Sequence, residues 1–78
     1  MTKVTIYTTP TCVYCKMAKA MFQEKGVQYE EKDVATDLKA REEMVNKSGQ
    51  LGVPVIDVGG KVVVGFDKQR LLDLLGLK

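Results

Sequence analysis

The chain has no histidine and no tryptophan, and it has two cysteines. Without histidine, Ser–His and Cys–His mechanisms are excluded, and so is most zinc chemistry. Any nucleophile must be activated by other means. No apolar run approaches the roughly 18 residues of a membrane span. The opening stretch MTKVTIYTTP lacks the uninterrupted apolar core of a signal peptide, so a cytoplasmic chain with no membrane partner is the expectation. Basic and acidic residues nearly balance, 12 against 10, and are scattered. That leaves no electrostatic reason to expect nucleic acid. Repeats, low-complexity tracts and linkers are absent too.

What remains is an ordinary globular composition in 78 residues, with 45% apolar residues, enough for one core but not two. A single monomeric domain spanning residues 1–78 is expected. Residues 3–8 alternate, with Val4 and Ile6 on one face and Thr5 and Tyr7 on the other, the pattern of a strand. Thr8-Thr9-Pro10 stops it, and Thr11 is a plausible N-cap for a helix from Cys12 to about Lys25, closed by Gly26. Val27 to Lys32 reads as a second, charged edge strand. Thr36 is a candidate cap for a second helix that runs to Ser48, buries Leu38, Met44 and Val45 and closes at Gly49. Val53–Asp57 and Lys61–Gly65 form a hairpin through Gly59-Gly60. Asp67 caps a last helix carrying Leu71, Leu72, Leu74 and Leu75, ended by Gly76. The order β-α-β-α-β-β-α predicts an α/β domain: a mixed four-stranded sheet, its first two strands parallel, with helices on both faces.

Cys12-Val13-Tyr14-Cys15 lies where the first strand meets the first helix. On that helix Cys12 shares a face with Lys16, Lys19 and Gln23, which is polar. Cys15 shares one with Ala18 and Phe22, which is apolar. Cys12 is therefore expected exposed and Cys15 shielded. The free N–H groups and dipole of the first helical turn favour a thiolate at Cys12, and Lys16 adds a cation one turn later. Four readings are open for the pair. A structural disulfide closing so short a loop contributes only roughly 2 kcal/mol and is rare in a cytosol. Two thiolates are half a tetrahedral metal site, which either a dimer bridged through Cys12 or an added thiol ligand would complete as a zinc or iron–sulfur carrier. Two idle thiols are the third reading. Thiol–disulfide exchange is the fourth and is preferred, because C-x-x-C near a β-α-β pattern is a redox signature.

Pro54, in Gly52-Val53-Pro54-Val55, reads locally as a strand start. A cis Val53–Pro54 bond is the sharper alternative, one that leaves the Val53 main chain available to a substrate backbone. Val64-Gly65-Phe66-Asp67 offers N–H groups to a carboxylate, or is a plain helix start. Tyr7 and Tyr14 are candidates to flank the thiols as contact surface; Tyr7 is equally a sheet-packing residue.

Taken together, Tyr7–Cys15 (YTTPTCVYC), Gly49–Val55 (GQLGVPV) and Val64–Asp67 (VGFD) resemble the glutaredoxins, with the small hydrogen-donor redoxins of the NrdH type as nearest relatives. The resemblance runs the length of the chain and implies the thioredoxin fold and a cis Pro54. It implies that Cys12 attacks a disulfide and Cys15 resolves the mixed disulfide, with Thr11 and Lys16 tuning the thiol. It also implies that Tyr14, Gln50, Val53, Pro54, Gly65, Phe66 and Asp67 contact substrate. The expected partners are disulfide-bearing proteins, ribonucleotide reductase among the candidates. No tightly bound cofactor and no metal are implied. The reductant is glutathione as co-substrate or a flavoprotein of the thioredoxin-reductase type. The chain departs from the glutathione-binding pattern at Thr9, where the family usually has Lys, at Gly52, where it usually has Thr, and in Val64–Lys68, which has lost one Gly and one Asp. Weak glutathione use is the expectation.

Overall fold

The computed structural model describes residues 3–76. Its elements are β1 (Val4–Thr8), α1 (Val13–Glu24), β2 (Glu30–Asp33), α2 (Leu38–Ser48), β3 (Val55–Val58), β4 (Lys61–Val64) and α3 (Lys68–Leu75). The sheet order is β2-β1-β3-β4. β1 and β2 are parallel, with Ile6 opposite Glu31, and the other two pairings are antiparallel. This is the mixed sheet expected of a thioredoxin-like fold.

Alternation along β1 divides the core. Val4 and Ile6 join Ala18, Met21 and Phe22 of α1 and Leu71 and Leu72 of α3. Tyr7, on the other face, joins Val34, Val55 and Ala40 and Met44 of α2. Helices therefore cover both faces.

Several boundaries differ from expectation, each for a local reason. The cap of α1 is Cys12, not Thr11: Cys12 has extended backbone and its Sγ accepts the Cys15 N–H. β2 begins at Glu30, not Val27. The Val27 N–H closes the end of α1 by donating to Phe22 O at 2.8 Å, and Gly26, at φ 69°, turns the chain there. Val27 and Tyr29 still pack on the core, but as side chains of a loop. Asp37, not Thr36, caps α2 by accepting the Ala40 N–H at 3.1 Å. The buried face of α2 is Ala40 and Met44, so Leu38 is 71% exposed and Val45 only half-buried. β3 starts at Val55, just past the proline, and β4 ends at Val64. Between them Gly59 and Gly60 have φ 59° and 96°, the positive pair that a two-residue hairpin turn requires.

A charged layer fastens α2 to the sheet. The Tyr7 hydroxyl donates to Glu43 (2.9 Å) and accepts from Lys47 (3.0 Å). Lys47 also binds Asp57 (2.8 Å), and Lys32 binds Glu43 (3.0 Å). Burial pushes the Tyr7 phenol up. It also pushes on Asp57, but Lys47 and the Gly60 N–H hold that carboxyl below its ordinary value. Lys32 and the Tyr7 hydroxyl hold Glu43 down. Depressed carboxylates contribute stability that is present above their unfolded values, about 4, and is lost as pH falls through the folded ones. Unfolding in urea should therefore be easier at pH 3 than at pH 6. Asp57→Asn should cost about 1–3 kcal/mol at pH 7 and flatten that acid dependence. A urea midpoint as steep in pH for the variant as for the parent would contradict this role.

Candidate functional site

The site forms where β1 ends. After Thr8 the chain turns, with the Cys12 N–H donating to Thr9 O at 3.3 Å. Cys12 is thus placed at the open end of α1, where the first-turn N–H groups lack helical partners. Its Sγ accepts one of them, the Cys15 N–H, at 3.1 Å. Such a bond is stronger to an anionic sulfur than to a neutral thiol, so it favours the thiolate once the pair is reduced. The two cysteines are paired as a disulfide, with Cα atoms 5.2 Å apart. They are not equivalent: Cys12 is half-buried, whereas Cys15 is 1% exposed on the packed face of α1. Access is one of the factors that decide which sulfur reacts in disulfide exchange, and this arrangement opens Cys12 and screens Cys15.

Around the pair, Tyr14 is 61% exposed, and Val13 and Met17 are exposed too. Tyr7 is fully buried and belongs to the charged layer, so it is no contact surface. Lys16 is exposed and forms no ion pair among the described residues. Lys19, expected on the same wet face, is instead drawn to Glu31 at 2.7 Å, which also accepts from the buried Thr8 hydroxyl at 2.9 Å. Lys19 holds the Glu31 carboxyl below its ordinary value.

The Val53–Pro54 bond is cis, as the resemblance implied and against the plain strand start that the local sequence suggested. Pro54 is fully buried. Among the described residues neither the N–H nor the C=O of Val53 has a hydrogen-bond partner. Pro54 O accepts the Gly65 N–H at 2.8 Å, which brings the Gly65-Phe66-Asp67 turn alongside. There the Asp67 carboxylate caps α3, accepting from Arg70 N at 3.2 Å. The Phe66 and Asp67 N–H groups have no partner among the described residues. Gln50 is spent within its own loop: its amide donates to Gly52 O and accepts from Gly52 N. A Cβ at Gly52 would meet that amide oxygen at 2.6 Å, so a larger residue there would push the Gln50 side chain aside.

One residue was not singled out by sequence reasoning. Arg41 of α2 lines a groove of about 220 Å³ with Thr9, Leu51 and Val53, over Val34 and Met44. It forms no ion pair among the described residues. The sequence signal was faint, since Arg41 stands in a run of helix-surface charges (KAREE) far from any motif. Among the described residues, no three or more Cys, Asp or Glu side chains cluster as a metal site, and no helix is long and apolar enough to cross a membrane.

Comparison with known proteins bears on this geometry. The glutaredoxin family model matches residues 4–63. A glutaredoxin-like 8.6 kDa protein in the rubredoxin operon of Clostridium pasteurianum is 43% identical over 72 residues, covering 92% of this chain and 96% of that protein. Glutaredoxin 3 of Escherichia coli K12 is 40% identical over 76 residues, 97% of this chain and 92% of that one. The solved structure of a mutant of the thioredoxin-like protein BC3987 superposes with a TM-score of 0.93 at 32% identity, covering 100% of both chains. With a paired Cys12–Cys15 at the head of α1 and these relatives along its length, the chain belongs to the glutaredoxin family and is a dithiol–disulfide oxidoreductase.

Proposed function

We propose that Cys12 is the attacking sulfur and Cys15 the resolving one, in a carrier that reduces protein or small-molecule disulfides in the cytoplasm. The observation that carries this reading is the contrast between a half-exposed Cys12 whose Sγ accepts a backbone N–H and a Cys15 sealed on the packed face. The Cys12 thiolate attacks one sulfur of the substrate, forming a mixed disulfide and releasing the other sulfur as a thiolate. Cys15, losing its proton, then attacks Cys12 Sγ. The second substrate sulfur leaves and the Cys12–Cys15 disulfide remains. Two electrons have passed from the protein to the substrate. The free N–H and C=O of Val53 hold the substrate main chain in extended form, and the Phe66 and Asp67 N–H groups receive a carboxylate. Tyr14 supplies apolar contact beside the sulfurs, and Lys16 adds positive potential.

A two-electron flavoprotein reductase of the thioredoxin-reductase type is the better reductant in this reading, and glutathione the weaker. Glutathione carries two carboxylates, and Thr9 offers neither of them a charge. Arg41 lines the same groove and offsets part of that deficit. Thr9→Lys should raise glutathione-dependent turnover about tenfold, and Arg41→Ala should lower it by a similar factor, the scale of one charge-assisted contact. Both are read as kcat/KM for glutathione, alongside reduction of the parent protein by a thioredoxin reductase. Efficient glutathione turnover by the parent, with no reduction by the flavoprotein, overturns the choice of reductant.

A further inference from the structure

The groove beside Val53 does not end at Arg41. Arg41 also lines a second cleft, of about 510 Å³, with Leu38, Glu42, Val45 and Asn46 on α2. Leu38 is the most exposed large apolar side chain among the described residues. Leu38 and Val45 are seven residues apart, so this strip runs roughly 10 Å along the helix. Leu51, also exposed, stands on the rim of the first groove. The two clefts meet at Arg41 and together make a track from Val53 to Leu38, its apolar side chains interrupted by Glu42 and Asn46; the Arg41 guanidinium pairs with no carboxylate among the described residues.

We propose that this track is a docking surface for the disulfide-bearing segment of a protein substrate. The segment lies extended, pairs its backbone with Val53, sets a carboxylate against Arg41 and lays an apolar side chain on Leu38 and Val45. The proposal rests on the functional reading above and narrows its substrate class. Three observations select this occupant. The track is continuous with the reacting site through Arg41. It presents a guanidinium between two apolar stretches, which matches a chain with an acidic residue beside an apolar one. Its length also exceeds what a tripeptide can cover once its cysteine is at Cys12, so glutathione gains nothing from Leu38. An extended chain advances about 3.3 Å per residue, so roughly three further residues reach along the outer strip.

The test compares two kinds of synthetic peptide. One is a short cyclic Cys-x-x-Cys disulfide. The other is the same core extended by five residues containing one glutamate and two leucines, made with the extension at either end. The parent protein should reduce one of the extended peptides with kcat/KM about tenfold above the core, the scale of one apolar side chain leaving water. In Leu38→Asp that ratio should fall to about one, because a carboxylate there repels the segment. Reading the ratio within one variant removes any general loss of activity or folding. Equal rates for core and extended peptides in the parent overturn the proposal, as does a preference that survives Leu38→Asp. Failure of the parent to reduce either peptide overturns the functional reading and this proposal together.

Discussion

Replacing Cys12 by serine should reduce disulfide turnover to the rate of the uncatalysed reaction, while replacing Cys15 should not. The difference follows from position on one helix. Cys12 sits outside the first turn of α1 as its cap, where substrate can reach the sulfur and the Cys15 N–H supports its negative charge. A serine hydroxyl at that place caps the helix as well or better. The variant should therefore fold normally while lacking a nucleophile, since an alkoxide is far less accessible than a thiolate at neutral pH. In the proposed mechanism Cys15 enters only after a mixed disulfide exists. Cys15→Ser should then accumulate substrate covalently bound at Cys12, visible by mass spectrometry as an added mass that reductant removes. Alkylation of the reduced parent offers an independent check, with Cys12 modified well before Cys15. The reverse order would falsify the assignment of roles.

Much of this was legible before the fold, and the parts that were not share a cause. Element order, sheet topology and the inequality of the two sulfurs come from periodicity that one strand or helix carries by itself. Cys15, Ala18 and Phe22 repeat at helical spacing, and the structure buries all three. Caps were harder. Thr11 and Thr36 are good cap residues by type, but which residue caps depends on which adopts extended backbone, and Cys12 and Asp37 do. Leu38 was expected inside because it is apolar and begins an amphipathic stretch. Only the packing of α2 against Tyr7 and Val55 shows that its inner face is Ala40 and Met44. Locally, Pro54 reads as a trans strand start; resemblance to a family corrected that, because a cis bond is a tertiary choice. Arg41 was invisible for a similar reason: it meets Thr9 and Val53 only when three separate segments converge.

The contrast between Phe22 and Leu38 gives the largest expected effect on stability. Both are large apolar residues on helices, and both read from the sequence as core. Phe22 is fully buried beneath α1, among Ile6, Ile56 and Leu71, with its ring centroid 5.4 Å from that of Tyr29. Truncating such a ring costs about 3–5 kcal/mol, through lost transfer free energy and the cavity left behind. A 78-residue domain has a total stability of about 4–12 kcal/mol. Phe22→Ala should accordingly remove a quarter of it at the least and lower Tm by about 12 °C or more, at roughly 4–8 °C per kcal/mol. Leu38→Ala, by contrast, should change stability by no more than about 0.5 kcal/mol, since its side chain is largely in water in both states. The loss at Phe22 also bears on the site, because α1 carries Cys15 on the same buried face as Phe22 and is capped by Cys12. A loosened α1 exposes Cys15, so the reduced Phe22→Ala protein should lose much of the difference in alkylation rate between its two thiols at temperatures where it remains folded by circular dichroism. If Phe22→Ala melts within a few degrees of the parent, or if Leu38→Ala proves as costly, then the division of α1 and α2 into packed and open faces is wrong.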